Sequence, residues 1–272
     1  MKKNKKQLFR ALLALWVSLA ALSCASLGGE AFAWEDDPDF TPPDTVSASS
    51  GGVPAALKVS ASGTYETRED FEKAAVSGAK ISGSVFSLTS NPSGGGSAEI
   101  VMVEDGGSKA LKMTHTGPVT GGRTQLSYKP QGEVVSAVGV QKKVEIEFRF
   151  KIEGTNGTVS MPYIFYASAP SNAGLTASYN AGNSRFQVYN GGQQTAKDNV
   201  AKGEWHRFRA LLDYASSTFE VSVDGEEVIS GASFRQDAQT KDFGEIRFYL
   251  ANVSDGGAVS LYLDDLTINA GL

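Results

Sequence analysis

Residues 202–231 read KGEWHRFRALLDYASSTFEVSVDGEEVISG, and residues 243–268 read FGEIRFYLANVSDGGAVSLYLDDLTI. In the first block Phe219, Val221 and Val223 alternate with Glu220, Ser222 and Asp224, the period-two pattern of a strand with one buried face and one wet face. Asp224-Gly225 then supplies two residues that tolerate positive φ, which predicts a tight hairpin. In the second block Ile246, Phe248 and Leu250 alternate with Arg247 and Tyr249. The stretch from Asn252 to Gly257 turns the chain, and Val259, Leu261 and Leu263 bring it back.

The same reading extends towards the N-terminus. Val144, Ile146, Phe148, Phe150 and Ile152 point one way, while Glu145, Glu147, Arg149 and Lys151 point the other. Further strands are predicted over 80–89, 98–103, 110–115, 161–167, 175–180 and 185–190, and a short helix over 68–76. About a dozen strands at short spacing, with no alternating helices, predict an all-β sandwich and no parallel sheet.

The order of Trp205, strand, turn, strand, Asp-Gly hairpin and a closing Tyr-Leu-Asp-Asp strand resembles the concanavalin A-like, or laminin G-like, jelly roll of the carbohydrate-binding type. The resemblance covers residues 63–272 and implies an antiparallel jelly-roll β-sandwich.

Ahead of that block, Lys2, Lys3, Lys5, Lys6 and Arg10 precede an apolar run from Ala11 to Leu22, too short for a stable membrane span and patterned as an export signal. Cleavage after Ala33, behind Ala31-Phe32-Ala33, is the favoured expectation; the alternative is a lipoprotein box, Ala21-Leu22-Ser23-Cys24, with lipid on Cys24. The predicted organisation is therefore a signal peptide at 1–33, an acidic, Pro- and Ser-rich flexible linker at 34–62, and the jelly roll at 63–272. Localisation is expected to be extracellular, periplasmic or at the cell envelope. Setting aside the five bases and one acid of the leader takes the formal net charge from −5 to −9, which argues against nucleic acid as a partner. A membrane would be reached only through lipid on Cys24, and the oligomeric state is left open. Cys24 is the sole cysteine, so no disulfide forms within the chain.

Catalytic and metal chemistry finds little material. With only His115 and His206 and no cysteine beyond Cys24, the nitrogen and sulfur sites of zinc or copper are disfavoured, and so is a Ser-His-Asp triad. The resemblance places His206, in its Trp-His pair, as a structural element. Enzymes on similar sandwiches carry recognisable motifs. The laminarinase type sets carboxyls about 5–5.5 Å apart on one strand as Glu-x-Asp-x-x-Glu, but here Glu145 and Glu147 are followed by Phe148-Arg149-Phe150, without the further acid the pattern requires. Arg123-Thr124-Gln125-Leu126-Ser127 is similar to the Arg-Thr-Glu-Leu-Arg strand of jelly-roll alginate lyases, whose other two motifs are missing.

Glycan binding needs less: rings to stack on pyranose faces and planar polar groups to bond hydroxyls. Burial of Phe186 and Val188 would leave Arg185, Gln187 and Tyr189 accessible, and burial of Ile246, Phe248 and Leu250 would leave Arg247 and Tyr249 so. Tyr166 and Asn180 complete this carbohydrate-binding set. The resemblance also implies a structural calcium between the first and last strands, for which Asp70, Glu72 and Asp265 supply the oxygen ligands such a hard cation takes. The expected function is an exported, non-catalytic carbohydrate-binding or surface-recognition module acting on a polysaccharide or glycan. The alternatives are a divergent polysaccharide lyase or glycoside hydrolase, and a structural envelope protein that contacts other proteins.

Overall fold

The computed structural model describes residues 58–59, 65–90, 95–103, 108–117, 124–129, 143–236, 242–251, 253 and 257–271, all within the compact unit Gly51–Leu272. The predicted signal peptide, both cleavage sites and most of the predicted linker lie outside these residues.

All regular structure among the described residues is β. In chain order the strands are β1 (Lys58–Val59), β2 (Tyr65–Glu69), β3 (Ala75–Ser77), β4 (Lys80–Ser82), β5 (Ser87–Ser90), β6 (Gly96–Met102), β7 (Lys109–Thr116), β8 (Thr124–Tyr128) and β9 (Lys143–Gly154). The second half holds β10 (Thr158–Tyr166), β11 (Ala173–Asn180), β12 (Arg185–Tyr189), β13 (Gln193–Lys197), β14 (Trp205–Asp213), β15 (Thr218–Val223), β16 (Glu226–Ser233), β17 (Phe243–Ala251) and β18 (Ala258–Ala270).

Seven strands form a front sheet in the order β13-β12-β11-β10-β17-β8-β5. Nine form a back sheet, β1-β2-β18-β9-β14-β15-β16, with β7 and β6 continuing from β18; β3 and β4 make a separate pair. The closing strand β18 organises the back sheet. One edge pairs with β9, while the other pairs with β7 over Ala258–Leu263 and with β2 over Leu266–Ala270.

Alternation decides which face goes inward. Val144, Ile146, Phe148, Phe150 and Ile152 are all buried, as their spacing predicts, and Phe219, Val221 and Val223 follow suit. Phe148 of the back sheet meets Phe248 of the front sheet edge-on at 5.1 Å, and Phe186 of the front sheet lies 5.8 Å from Phe208 of the back. One apolar layer between two sheets is what a sandwich requires. The hairpin is present too: Asp224 and Gly225 have φ of 57° and 77°, and His206 Nδ1–H donates to the Asp224 carboxylate at 2.9 Å.

Local expectations fail at the N-terminal end. No helix occupies Arg68–Val76: Tyr65–Glu69 instead pairs with the last residues of β18, and Phe71 turns the chain at φ 55°. The buried Glu69 carboxylate accepts from the N–H groups of Phe71 and Val85 and from the Ser84 hydroxyl, so tertiary pairing outweighs local helix preference. The single strand expected over Lys80–Thr89 splits into β4 and β5 at Gly83. Lys58–Val59, within the stretch read as linker, pairs with Tyr65–Glu66. Strands β8 and β13 had no counterpart in the sequence reading.

Candidate functional site

The front sheet presents its outer face as a ladder of polar and aromatic side chains. Cross-strand pairing sets Thr89, Gln125, Tyr249, Ser160, Ser178, Gln187 and Thr195 in one row across all of its strands. Alongside runs a second row, Ser87, Ser127, Arg247, Tyr163 and Thr176. The alternate residues on the same strands, Leu126, Phe248, Ile164, Leu175 and Val188, point into the apolar layer, so alternation puts these rows on the outer side, where Ser160, Ser178, Thr176 and Tyr249 are nonetheless buried.

Tyr163 and Tyr249 stack with centroids 5.2 Å apart and planes 15° from parallel, and Phe165 lies 6.2 Å from Tyr163. Arg247 sits over the Phe165 ring at 4.1 Å and donates through both Nε and Nη2 to the Glu245 carboxylate at 2.8 Å. Glu245, with 6% of its side chain exposed, also faces Lys129 Nζ at 3.7 Å. This end of the face is thus rigid and charge-matched. At the other end the Arg235 guanidinium covers Tyr189 at 4.7 Å, and Gln193 donates to Ser178 Oγ and Gln187 Oε1 at 3.0 and 3.2 Å.

The sequence-derived binding residues divide on this geometry. Arg185, Gln187, Tyr189, Arg247, Tyr249 and Asn180 belong to the outward side of the front sheet, Arg185 paired with Asp198 at 2.8 Å and Asn180 Oδ1 accepting from the Gly182 N–H. Tyr249 is only 7% exposed and stacks on Tyr163. Tyr166 is a correction: it is 1% exposed, and its hydroxyl donates to the Gln236 carbonyl inside the sandwich edge. Register explains the error. The β10 pairing shifts between Ser160 and Tyr163, at Met161–Pro162, so Met161, Ile164 and Tyr166 face inward and Tyr163 and Phe165 outward. Tyr163, Phe165, Gln125, Thr176 and Arg235 were missed; for Tyr163 and Phe165 the signal was the interrupting Pro162, a residue that marks bulges in strands.

The residues expected to hold calcium have protein partners in the structure. Glu72 Oε1 accepts from the Lys109 N–H at 2.7 Å, Asp70 accepts from the Glu72 N–H, and Asp265 faces Arg68 and Arg149 at 3.6 and 3.5 Å. Among the described residues no group of three or more His, Cys, Asp or Glu is arranged to hold a metal. The neighbouring Asp264 is buried. Burial pushes its carboxyl up to about 6, with the like charges of Asp265 and Asp70 adding to the rise, while the Asp265 N–H and Arg149 act against it.

Both histidines lie away from the front face. His115 is buried on β7, where burial lowers its pKa, and His206 is fixed between Asp224 and the Ala201 carbonyl. Glu145 and Glu147 pair with Arg209 and Arg207 on the outer side of the back sheet, so neither shares a face with the tyrosines.

No protein-family model and no curated protein matches this chain. Solved structures do. A sialidase superposes with a TM-score of 0.55 at 14% identity over 75% of this chain, which spans 18% of the sialidase's length. An alginate lyase of polysaccharide lyase family 7 gives 0.47 at 17% identity, covering 64% of this chain and 84% of the lyase. A chain from a study of botulinum neurotoxin type C and its interaction with two ganglioside molecules gives 0.44 at 12% identity, covering 67% of this chain and 42% of that one. The fold is a concanavalin A-like jelly roll. At such identities the likeness speaks for fold, and this fold hosts many functions.

Proposed function

We propose that this protein binds a glycan on the outer face of its front sheet, as an exported recognition module without catalytic activity. The observation that carries the reading is the Tyr163–Tyr249 stack flanked on the outer side of the sheet by the half-buried Gln125, Ser127 and Gln187, with Thr89 and Thr195 exposed at the two ends of the row and Ser160, Ser178 and Thr176 buried between. Rings present apolar area to the CH faces of a pyranose, and flanking amides and hydroxyls exchange hydrogen bonds with its hydroxyls. The surface is a sheet face and not a deep cleft, so micromolar or weaker affinity, about −8 kcal/mol at most, is expected. The sugar-related names of the structural neighbours agree with this reading, and the basic, apolar leader supports export.

The test is a glycan array with the full chain, followed by titration of the best ligand. Tyr163 is half-buried, so Tyr163→Ala should weaken binding by about tenfold or more while the melting midpoint changes little. Tyr249→Ala, at a 7% exposed position, should lower both. Unchanged affinity in Tyr163→Ala moves the site off this face, and release of unsaturated or reducing-end products would replace binding with lyase or hydrolase chemistry.

A further inference from the structure

We infer that the glycan recognised on the front face is acidic, and that Arg235 receives its carboxylate or sulfate; this rests on the binding reading above. Arg235 stands where the chain crosses from the back sheet to the front sheet. Phe234, just past β16, packs among Tyr214, Phe219 and Tyr166 at the sandwich edge. The next residue is then clamped beyond the end of β12, where the Arg235 N–H donates to the Gly174 carbonyl at 2.8 Å and the Gln236 N–H to Ala173 at 3.1 Å. Gln236 Oε1 accepts from the Ala173 N–H at 2.6 Å and so doubles the anchor. With Phe234 turned inward, Arg235 turns outward, and its guanidinium reaches the Tyr189 ring on the outer face.

Its electrostatic situation differs from that of the other arginines on this face. Arg247 has two hydrogen bonds to Glu245, and Arg185 pairs with Asp198. Among the described residues Arg235 meets no carboxylate; its guanidinium contact is with the π face of Tyr189. A guanidinium laid on a ring keeps its N–H fork free in its own plane, pre-oriented for two parallel bonds to a planar or tetrahedral oxyanion. Tyr189 thus holds the Arg235 charge in place on the outer side of the sheet. A uronate or a sulfated sugar presents an oxyanion to the fork; a neutral sugar leaves it bonded only to water.

The experiment is calorimetric titration of the full-chain protein with three oligosaccharide series: polygalacturonate, sulfated galactan and neutral galactan, all at one ionic strength. The expected result is that one anionic series binds about tenfold or more tighter than the neutral one, and the better of the two identifies the oxyanion. Arg235→Gln should erase that preference without shifting the melting midpoint materially, and Arg235→Lys should restore only part of it, because a lysine cannot present the fork. Equal affinity for neutral and anionic series, or a preference that survives Arg235→Gln, overturns the acidic specificity and leaves glycan binding standing. Silence with all three series, together with a blank array, overturns both.

Discussion

Asp264 shows how much a single residue's surroundings weigh against its type. Its carboxyl has 3% of its side-chain surface exposed, lies 3.7 Å from Arg149 Nη1, and accepts the N–H of Asp265, the left-handed residue of the β18 bulge. Burial nonetheless dominates and carries the group from 3.8 to about 6. The folded protein therefore retains this proton to higher pH than the unfolded chain does. The sign follows: the group's contribution to stability is full below about pH 4 and is lost as pH rises through about 6. Asp264→Asn abolishes the titration, so the variant should gain on the parent between about pH 4 and pH 7, by roughly 2–3 kcal/mol over the interval. Denaturant midpoints measured across that range check it; parallel pH profiles for the two proteins would show that the group titrates normally. Residues of this kind are invisible in sequence, where Asp264 and Asp265 look equivalent.

At the scale of elements, Gly83 marks where one expected strand becomes two. It adopts φ +69°, and a Cβ there would stand 2.2 Å from the Lys73 carbonyl oxygen. Gly191 has a similar φ of +65° with nothing within 4 Å of such an atom. The pair separates backbone preference from collision. Gly191→Ala should cost about 1 kcal/mol, and Gly83→Ala about 2 kcal/mol or more beyond that, since a backbone carbonyl cannot swing aside as a side chain can. Urea unfolding of both variants reads the difference directly, and equal losses would mean that the β4–β5 corner moves freely. The same scale holds the correction at β10. A shift of register at Met161–Pro162 exchanged Tyr166 for Tyr163 and Phe165, because every side chain beyond such a shift changes face.

For the whole molecule, cohesion rests on one apolar layer, as Cys24 is the sole cysteine and no disulfide ties the sheets. Phe148, 1% exposed, stacks on Phe208 at 4.7 Å within its own sheet and meets Phe248 across the layer at 5.1 Å. Phe148→Ala should cost about 3–5 kcal/mol, a large share of the roughly 5–15 kcal/mol typical of a domain. Far- and near-ultraviolet dichroism should still report one coincident transition at a lower midpoint. Separate transitions for the two signals would mean that the sheets unfold independently. Alternating blocks such as Val144–Ile152, Phe219–Val223 and Ile246–Leu250 made the inward residues of this layer legible from sequence, because period-two burial is written into each strand alone. The hairpin at Asp224-Gly225 was legible for the same reason: its φ preferences are local. Which strands become neighbours is a property of contacts distant in the chain, and there the sequence was silent. Only tertiary pairing placed Gln125 beside Tyr249, brought Tyr163 onto it, carried Arg235 over Tyr189, and paired 65–69 with β18, running into the start of the segment 68–76 where a helix was expected.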